Sequence, residues 1–472
     1  MIIGRKVEQE LLLHCLESKK SEFVAVYGRR RIGKTFLVRE VFGDRFTFYA
    51  TGLLDDRNTI SLQLESFNNE IAEQGEESLP RAKNWHEAFQ NLNTLVEQAP
   101  AGIKKIIFLD EIPWMATRNS GFLTALDYFW NRWASSRNDV LLIICGSATS
   151  WIIDNVVNNR GGLHNRLTRQ ILLAPFTLKE CEDFYNSEGF VMTRNQMVEA
   201  YMAFGGVPYY LSLMNPRLDL NQMIDDIYFK QGSALQNEFQ NLFKSLFSNP
   251  DNHLAVVSAL ARKSKGLTRK EIIEQTTTSN GGRVTQVLED LEQCGFIRVY
   301  RSFGKNKQDR IFQLTDAFIL FHLRFSKQRE LYNENYWQQF SATPGHNSWS
   351  GYAFEQVCLL HIAQIKQKLG IAGVLTEVSA WRSTSANPGA QIDLVIDRAD
   401  NVINLCEIKY AKGEYLITKD SYDKLHNKLA AFSDETKTRK ALRTTLITSF
   451  GVKQNKYSSE FTSQVLLDDL FV

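Results

Sequence analysis

The segment Gly28-Arg29-Arg30-Arg31-Ile32-Gly33-Lys34-Thr35 fits G-x-x-x-x-G-K-[ST], a spacing whose residue types can grip a triphosphate. Two glycines let backbone amides close around phosphate oxygens. Lys34 sets a positive charge against the outer phosphates, and the Thr35 hydroxyl can ligate Mg²⁺. Phe36 carries the segment into a helix whose amino terminus would meet the phosphates. Further on, Ile106-Ile107-Phe108-Leu109-Asp110-Glu111 is an apolar run ending in two acids. Asp110 suits a Mg²⁺ ion and its water, and Glu111 suits the orientation or activation of an attacking water. A third apolar run ends at Cys145-Gly146-Ser147, where the hydroxyl either senses a γ-phosphate or caps the next helix. Among Arg160, Arg166 and Arg169, Arg166 is the first candidate to stabilise charge during hydrolysis, with plain surface solvation as the alternative. ATP with Mg²⁺ is the cofactor that this set implies.

A second set lies near the other end. Glu407 and Lys409 sit in Val402-Ile403-Asn404-Leu405-Cys406-Glu407-Ile408-Lys409-Tyr410, and a strand points them to one face with Cys406, Ile408 and Tyr410 on the other. Asp393 interrupts the apolar strand Gln391-Ile392-Asp393-Leu394-Val395-Ile396-Asp397. A hairpin would bring Asp393, Glu407 and Lys409 together, with Glu355 supplied by an upstream helix beginning Gly351-Tyr352-Ala353-Phe354-Glu355. Carboxylates suit Mg²⁺ or Mn²⁺, and a lysine beside them can position or activate water for phosphodiester cleavage. Two other readings stay open: a plain Glu407–Lys409 ion pair, or a nuclease-like fold that binds DNA or protein without cutting. Glu377, Asp397 and Lys412 lie nearby as auxiliary residues or as ordinary surface charge.

The elements that must position these residues follow from the apolar periods. Phe23-Val24-Ala25-Val26-Tyr27 reads as a buried strand leading into the first loop, and the helix follows at residues 35–40. Strand, loop and helix alternate in this way to about residue 175, which predicts an α/β parallel sheet. Residues 176–245 read as a helical lid. Between 246 and 330 the pattern changes to three short helices, the second opened by the capping box Thr268-Arg269-Lys270-Glu271. The third is apolar at Val284, Val287, Leu288 and Leu291. Two alternating strands then flank a polar turn, which together predict a winged helix-turn-helix. Its basic residues Arg283, Arg298, Arg301, Lys305, Lys307 and Arg310 can meet DNA phosphates, or the module can serve only for packing and regulation. A boundary near residue 340 is expected where Pro344-Gly345 and Gly351 break the pattern, leaving 340–472 as the last domain.

Ile3-Gly4-Arg5, the 28–35 loop, Leu109-Asp110-Glu111, Cys145-Gly146-Ser147 and Phe204-Gly205-Gly206-Val207-Pro208-Tyr209-Tyr210-Leu211 together resemble the prokaryotic, archaeal-type ATPases of the AAA-related STAND class. The resemblance covers roughly residues 1–240. It implies that Pro208 contacts the adenine from the lid, with Gly205 and Gly206 making the tight turn. The residues alone are equally met by an ordinary helix-breaking turn. Glu355, Asp393, Glu407 and Lys409 resemble the motif of the PD-(D/E)xK nucleases, a restriction-endonuclease-like α/β fold, and of the C-terminal domain that accompanies these ATPases. The usual proline before the aspartate is absent, since Gln391-Ile392 precede Asp393.

Bulk properties narrow the choice of partner. The 472 residues carry a formal net charge of +2, too little to imply a polyanion by itself, so any DNA surface must be local. The six cysteines form no C-x-x-C pair, which points to buried thiols in a reducing compartment. No apolar run reaches the roughly 18 residues of a membrane span, and the first residues lack a signal-peptide pattern. A cytoplasmic protein with no membrane partner is expected. DNA is the macromolecular partner of choice, and a homo-oligomer is compatible with the ATPase resemblance. Two function classes remain: an ATP-dependent enzyme acting on DNA, and a nucleotide-switched regulatory or scaffold protein.

Overall fold

Apolar runs with no polar alternation form strands covered on both faces. In the computed structural model, Glu22–Tyr27 (β1), Lys105–Asp110 (β3) and Val140–Gly146 (β4) are buried at every residue. With Phe46–Thr51 (β2) and Arg169–Leu172 (β5) they build a five-stranded, all-parallel sheet in the order β2-β3-β4-β1-β5. The structure describes residues 2–54, 60–75, 79–117, 119–158, 163, 165–247, 249–276, 281–304, 310–330, 333–383 and 389–472. Alternate residues of each strand feed two cores. Phe23, Ile107, Leu109 and Leu142 pack with Trp85, Phe89 and Phe129 on one face, and Val24, Ile106, Phe108 and Leu141 pack with Leu37 and Val38 on the other. The α/β parallel sheet expected from the first 175 residues is thus present. Its register pairs Val26 with Cys145 and Leu109 with Ile144, so the loops after β1, β3 and β4 open at one edge. Ligands of open α/β sheets sit at that edge.

Residues up to Ala174, with the short Ser245–Phe247 segment, form one compact unit, and Pro175–Lys244 with the chain after position 248 form another. The second unit begins with helices Leu178–Ser187 and Arg194–Phe204, each opened by a capping box, Thr177/Glu180 and Thr193/Gln196. Between them and the C-terminal sheet lie helices Pro250–Ala261, Arg269–Thr276 and Gly281–Gln293. A small antiparallel sheet of Leu267–Thr268 (β6), Ile297–Arg301 (β7) and Arg310–Leu314 (β8) accompanies them in the order β6-β8-β7. Val284, Val287, Leu288 and Leu291 are all buried, as their helical spacing predicts.

The last sheet is mixed. Thr376–Arg382 (β9), Gln391–Arg398 (β10) and Val402–Lys409 (β11) are antiparallel neighbours, and Ala441–Thr448 (β12) and Ser463–Leu466 (β13) join in parallel. Helix Lys419–Thr436 makes the crossover from β11 to β12 that a parallel pair requires.

The stretch around residue 340 departs from the expected boundary. Trp337 stacks edge-on against Trp349 at 4.9 Å and lies 5.1 Å from Phe321, while Phe340 lies 5.2 Å from Phe325. A packed aromatic cluster occupies the stretch where the boundary is expected. Pro344 and Gly351 do not break the helix either. Pro344 opens a helix running Pro344–Leu360, where its missing N–H costs nothing, and Thr343 caps it by accepting from the His346 amide. Glu355 therefore sits in the fourth turn of a helix that starts at Pro344, not near the start of one beginning at Gly351.

Candidate functional sites

The first site gathers at the carboxyl edge of the parallel sheet. Gly28 has φ 143°, and a β-carbon there would stand 2.4 Å from the Leu173 carbonyl oxygen, so only glycine fits. Gly33, at φ 84°, precedes helix Lys34–Phe42 and accepts from the Leu37 amide. Arg31 also takes a left-handed φ of 77°. Such alternation turns successive N–H groups toward one point, the geometry of an anion-binding nest. Ile32 and Arg29 are buried beneath the loop, Arg30 is half-buried, and Phe36 is half-exposed on the outer face of the helix.

Side chains complete the cluster. The Lys34 ammonium donates to the Arg29 carbonyl and to the Ser147 Oγ, both at 3.0 Å. Ser147 in turn donates to Glu111 Oε1 at 2.5 Å, and its amide donates to Glu111 Oε2 at 3.1 Å. The Thr35 hydroxyl donates to Asp110 Oδ2 at 2.7 Å, which puts two hard oxygen donors side by side, a fit for Mg²⁺. Burial pushes the Asp110 carboxyl above its ordinary value, the Thr35 bond works against this, and the Glu111 charge adds to it. Glu111 itself holds a left-handed φ of 49°, an uncommon conformation for a side-chain-bearing residue and one that collects at functional sites.

Arg166 is exposed on the turn before β5, and Arg160 lies outside the described residues. Pro208 belongs to the second unit, where it starts helix Pro208–Ser212. The glycines before it are forced. A β-carbon on Gly206 would fall 1.9 Å from the Phe176 carbonyl oxygen, and Gly205 has φ 66°.

The second site lies on the mixed sheet. Leu394 pairs with Cys406 across β10 and β11, which sets Asp393 and Glu407 opposite one another. Lys409 Nζ reaches Glu407 Oε1 at 2.7 Å, and Lys428, from the crossover helix, reaches Glu407 Oε2 at 2.7 Å. Burial opposes the Glu407 charge, but the two ammonium groups outweigh it and hold its carboxyl below the ordinary range. Glu355 and Asp393 converge on a third lysine that the sequence did not single out: Lys265 Nζ stands 2.6 Å from Asp393 Oδ1 and 2.8 Å from Glu355 Oε2. Burial, with the Asp393 charge next, raises the Glu355 carboxyl. Gln391 Nε2 donates to Asp393 Oδ1 at 2.8 Å. A cavity of about 640 Å³ opens beside Glu407, Lys409, Tyr415 and Lys428.

The expected metal ligands Glu355, Asp393 and Glu407 are therefore neighbours of lysines. Among the described residues, no three histidine, cysteine or acidic groups stand close enough to hold a metal ion. Buried carboxylates require counter-charge, and here ammonium groups provide it. The convergence of Glu355 and Asp393 on one ammonium shows that the pair accepts a cation between them. Gln391 was legible as a same-face neighbour of Asp393 two residues away. Lys265 and Lys428 carried no signal, because each reaches the site from a distant segment. Asp397 is paired with Lys440, away from this cluster.

The basic residues expected to meet DNA do not share one fate. Arg298 is half-buried and engaged: its Nε donates to Gln313 Oε1 at 2.6 Å, its guanidinium lies 4.5 Å from the Tyr300 ring centre, and burial lowers its pKa to about 10. It is withdrawn from the DNA-facing set. Arg283 and Arg310 are exposed, Arg301 is half-buried, and Lys305 and Lys307 lie outside the described residues.

Known proteins resemble this chain along much of its length. Residues 3–214 match a family described as an ATPase domain predominantly from Archaea. An uncharacterized protein of Methanocaldococcus jannaschii, MJECL04, is 24% identical over 433 residues, which cover 91% of this chain and 92% of that protein. Among solved structures, the Walker-type ATPase paby2304 of Pyrococcus abyssi is similar with a TM-score of 0.50 at 17% identity, over 68% of this chain and 96% of that one. The Aeropyrum pernix ORC2 protein is similar with a TM-score of 0.40 at 12% identity, over 70% and 95%. The fold is that of a P-loop ATPase. The match over residues 3–214 and the P-loop fold together support a nucleotide-binding ATPase.

Proposed function

We propose that this chain hydrolyses ATP and acts on DNA, with residues 246–330 as a winged helix-turn-helix and the C-terminal sheet as a PD-(D/E)xK nuclease-like module. The observation that carries the ATPase half is the chain Lys34–Ser147–Glu111 beside the Thr35–Asp110 pair. Lys34 would bind the β- and γ-phosphates, and Thr35 with Asp110 would hold Mg²⁺, which supplies charge neutralisation on the phosphate oxygens. Ser147 accepts from Lys34 and donates to Glu111, so an incoming γ-phosphate that recruits Lys34 also alters the hold on Glu111. Glu111, once released, can orient water and accept its proton. Arg166 and the adenine-facing role of Pro208 complete the proposal from the family resemblance.

The nuclease half rests on the placement of Asp393, Glu407 and Lys409 on one face with Glu355 close by. Asp393 and Glu355, which share one cation in Lys265, would hold Mg²⁺ or Mn²⁺ with water completing its shell, and the ion would stabilise the leaving phosphate oxygen, with Glu407 beside them. Lys409 would position the attacking water. The lysine pairing of every one of these acids favours a second reading, in which the module binds DNA or a protein without cutting and ATP switches its presentation.

Steady-state ATP hydrolysis separates the ATPase half from a passive nucleotide binder. Glu111→Gln is expected to retain ATP binding and lose turnover by about 100-fold or more. Wild-type protein with no turnover above Lys34→Ala would overturn it.

A further inference from the structure

We propose that Lys265 is a built-in counter-cation that competes with a divalent metal for Glu355 and Asp393, so that the metal enters only when the Lys265 loop withdraws. The inference rests on the nuclease-like reading of these two acids, and it adds a control that the reading does not contain. Lys265 belongs to the segment before β6, far in sequence from both of its partners. Its ammonium nevertheless sits 2.6 Å from Asp393 Oδ1 and 2.8 Å from Glu355 Oε2. A Mg²⁺ ion needs oxygen atoms at about 2.0–2.1 Å around it. An ammonium within hydrogen-bond distance of the same two carboxylates fills that space and repels the incoming charge. The two cations exclude each other.

The loop that carries Lys265 is tied to the β7–β8 hairpin and not to the acids alone. The Tyr300 hydroxyl donates to the Lys265 carbonyl at 2.6 Å, and Gln313 Nε2 donates to the Ser264 carbonyl at 2.6 Å. Gly266 follows at φ 79°, and a β-carbon there would meet the Phe312 carbonyl oxygen at 2.5 Å, so the loop packs directly against the β8 backbone. The hairpin is in turn seated on the C-terminal sheet. Phe303 donates from its amide to the Ala380 carbonyl at 2.8 Å, and its ring lies 5.0 Å from Phe432. Lifting the hairpin from β9 therefore pulls Lys265 out from between Glu355 and Asp393. The lysine converts hairpin docking into an open or closed cation site. Its own side chain is only 34% exposed, while Lys409 and Lys428 make their ion pairs with Glu407.

The test is Mn²⁺ binding to the full chain without nucleotide, read by the electron paramagnetic resonance signal of free Mn²⁺. Lys265→Met is expected to bind Mn²⁺ about tenfold or more tightly than wild type, and Asp393→Asn added to it is expected to remove the gain. Tyr300→Phe keeps the lysine and loosens its loop, so a smaller gain of a few-fold is expected if Lys265→Met fails to fold. Equal affinity in wild type, Lys265→Met and Tyr300→Phe, with Asp393→Asn weakening all of them, would sink the lock and leave the metal site standing. Affinities indifferent to Asp393→Asn in every background would sink both.

Discussion

Single residues decide the nucleotide chemistry. Lys34, Ser147 and Glu111 form one hydrogen-bonded chain, so removing the middle member should act on both ends. Ser147→Ala is expected to leave ATP affinity within a few-fold of wild type and to lower turnover by roughly tenfold, since Glu111 loses its positioning partner and the lysine does not. Calorimetric affinity paired with turnover checks this; a loss of affinity with unchanged turnover would contradict it. Lys34→Ala, by contrast, should abolish measurable binding. At this scale the sequence was informative. The eight-residue loop, the two acids after β3 and Ser147 all announced themselves by type and spacing, because phosphate and magnesium chemistry tolerates few substitutes. Arg166, exposed on its turn, carried a weaker signal, since arginine is common on surfaces and its spacing carries no geometric constraint.

Elements were legible where one period ran undisturbed and obscure where tertiary packing decided. The buried strands β1, β3 and β4 and the helix apolar at Val284, Val287, Leu288 and Leu291 follow their patterns. The region around residue 340 does not, because proline and glycine read alike in a linker and in a capped helix start. Its aromatic packing gives a stability prediction. Trp337→Ala should cost about 3–5 kcal/mol, measured by denaturant unfolding, since it empties a site against Phe321, Phe325 and Trp349. His346 gives a pH prediction in the same cluster. Burial among Trp337, Phe340 and Trp349, with Lys412 adding repulsion, lowers its pKa from the ordinary 6.5 to about 4. The unfolded chain therefore takes up this proton first. Its contribution is intact above about pH 6.5 and is lost as pH falls toward 4, up to about 3 kcal/mol in all. Melting temperatures of wild type and His346→Gln should converge as pH drops from 7 to 4, and parallel curves would contradict the assignment.

For the whole molecule, the cluster around Lys34 and the acid-lysine cluster on the C-terminal sheet differ in how open their acids are. The cluster around Lys34 has its loop, its charge and its metal oxygens in place, whereas Glu355, Asp393 and Glu407 each sit against an ammonium group. That contrast was invisible in the sequence: Lys265 lies 90 residues from Glu355 in the chain, and no local pattern links them. No described helix is long and apolar enough to cross a membrane. The reading proposed for the whole chain, ATP turnover joined to a DNA-acting nuclease-like module, makes cleavage its sharpest expectation. It is tested most directly by incubating single-stranded and duplex DNA with ATP, Mg²⁺ or Mn²⁺, and wild-type, Lys34→Ala, Glu407→Ala or Lys265→Met protein. The account predicts cleavage that Glu407→Ala eliminates, Lys34→Ala reduces and Lys265→Met raises. Intact DNA in all four samples, under conditions where wild-type ATP turnover is measurable, would contradict it.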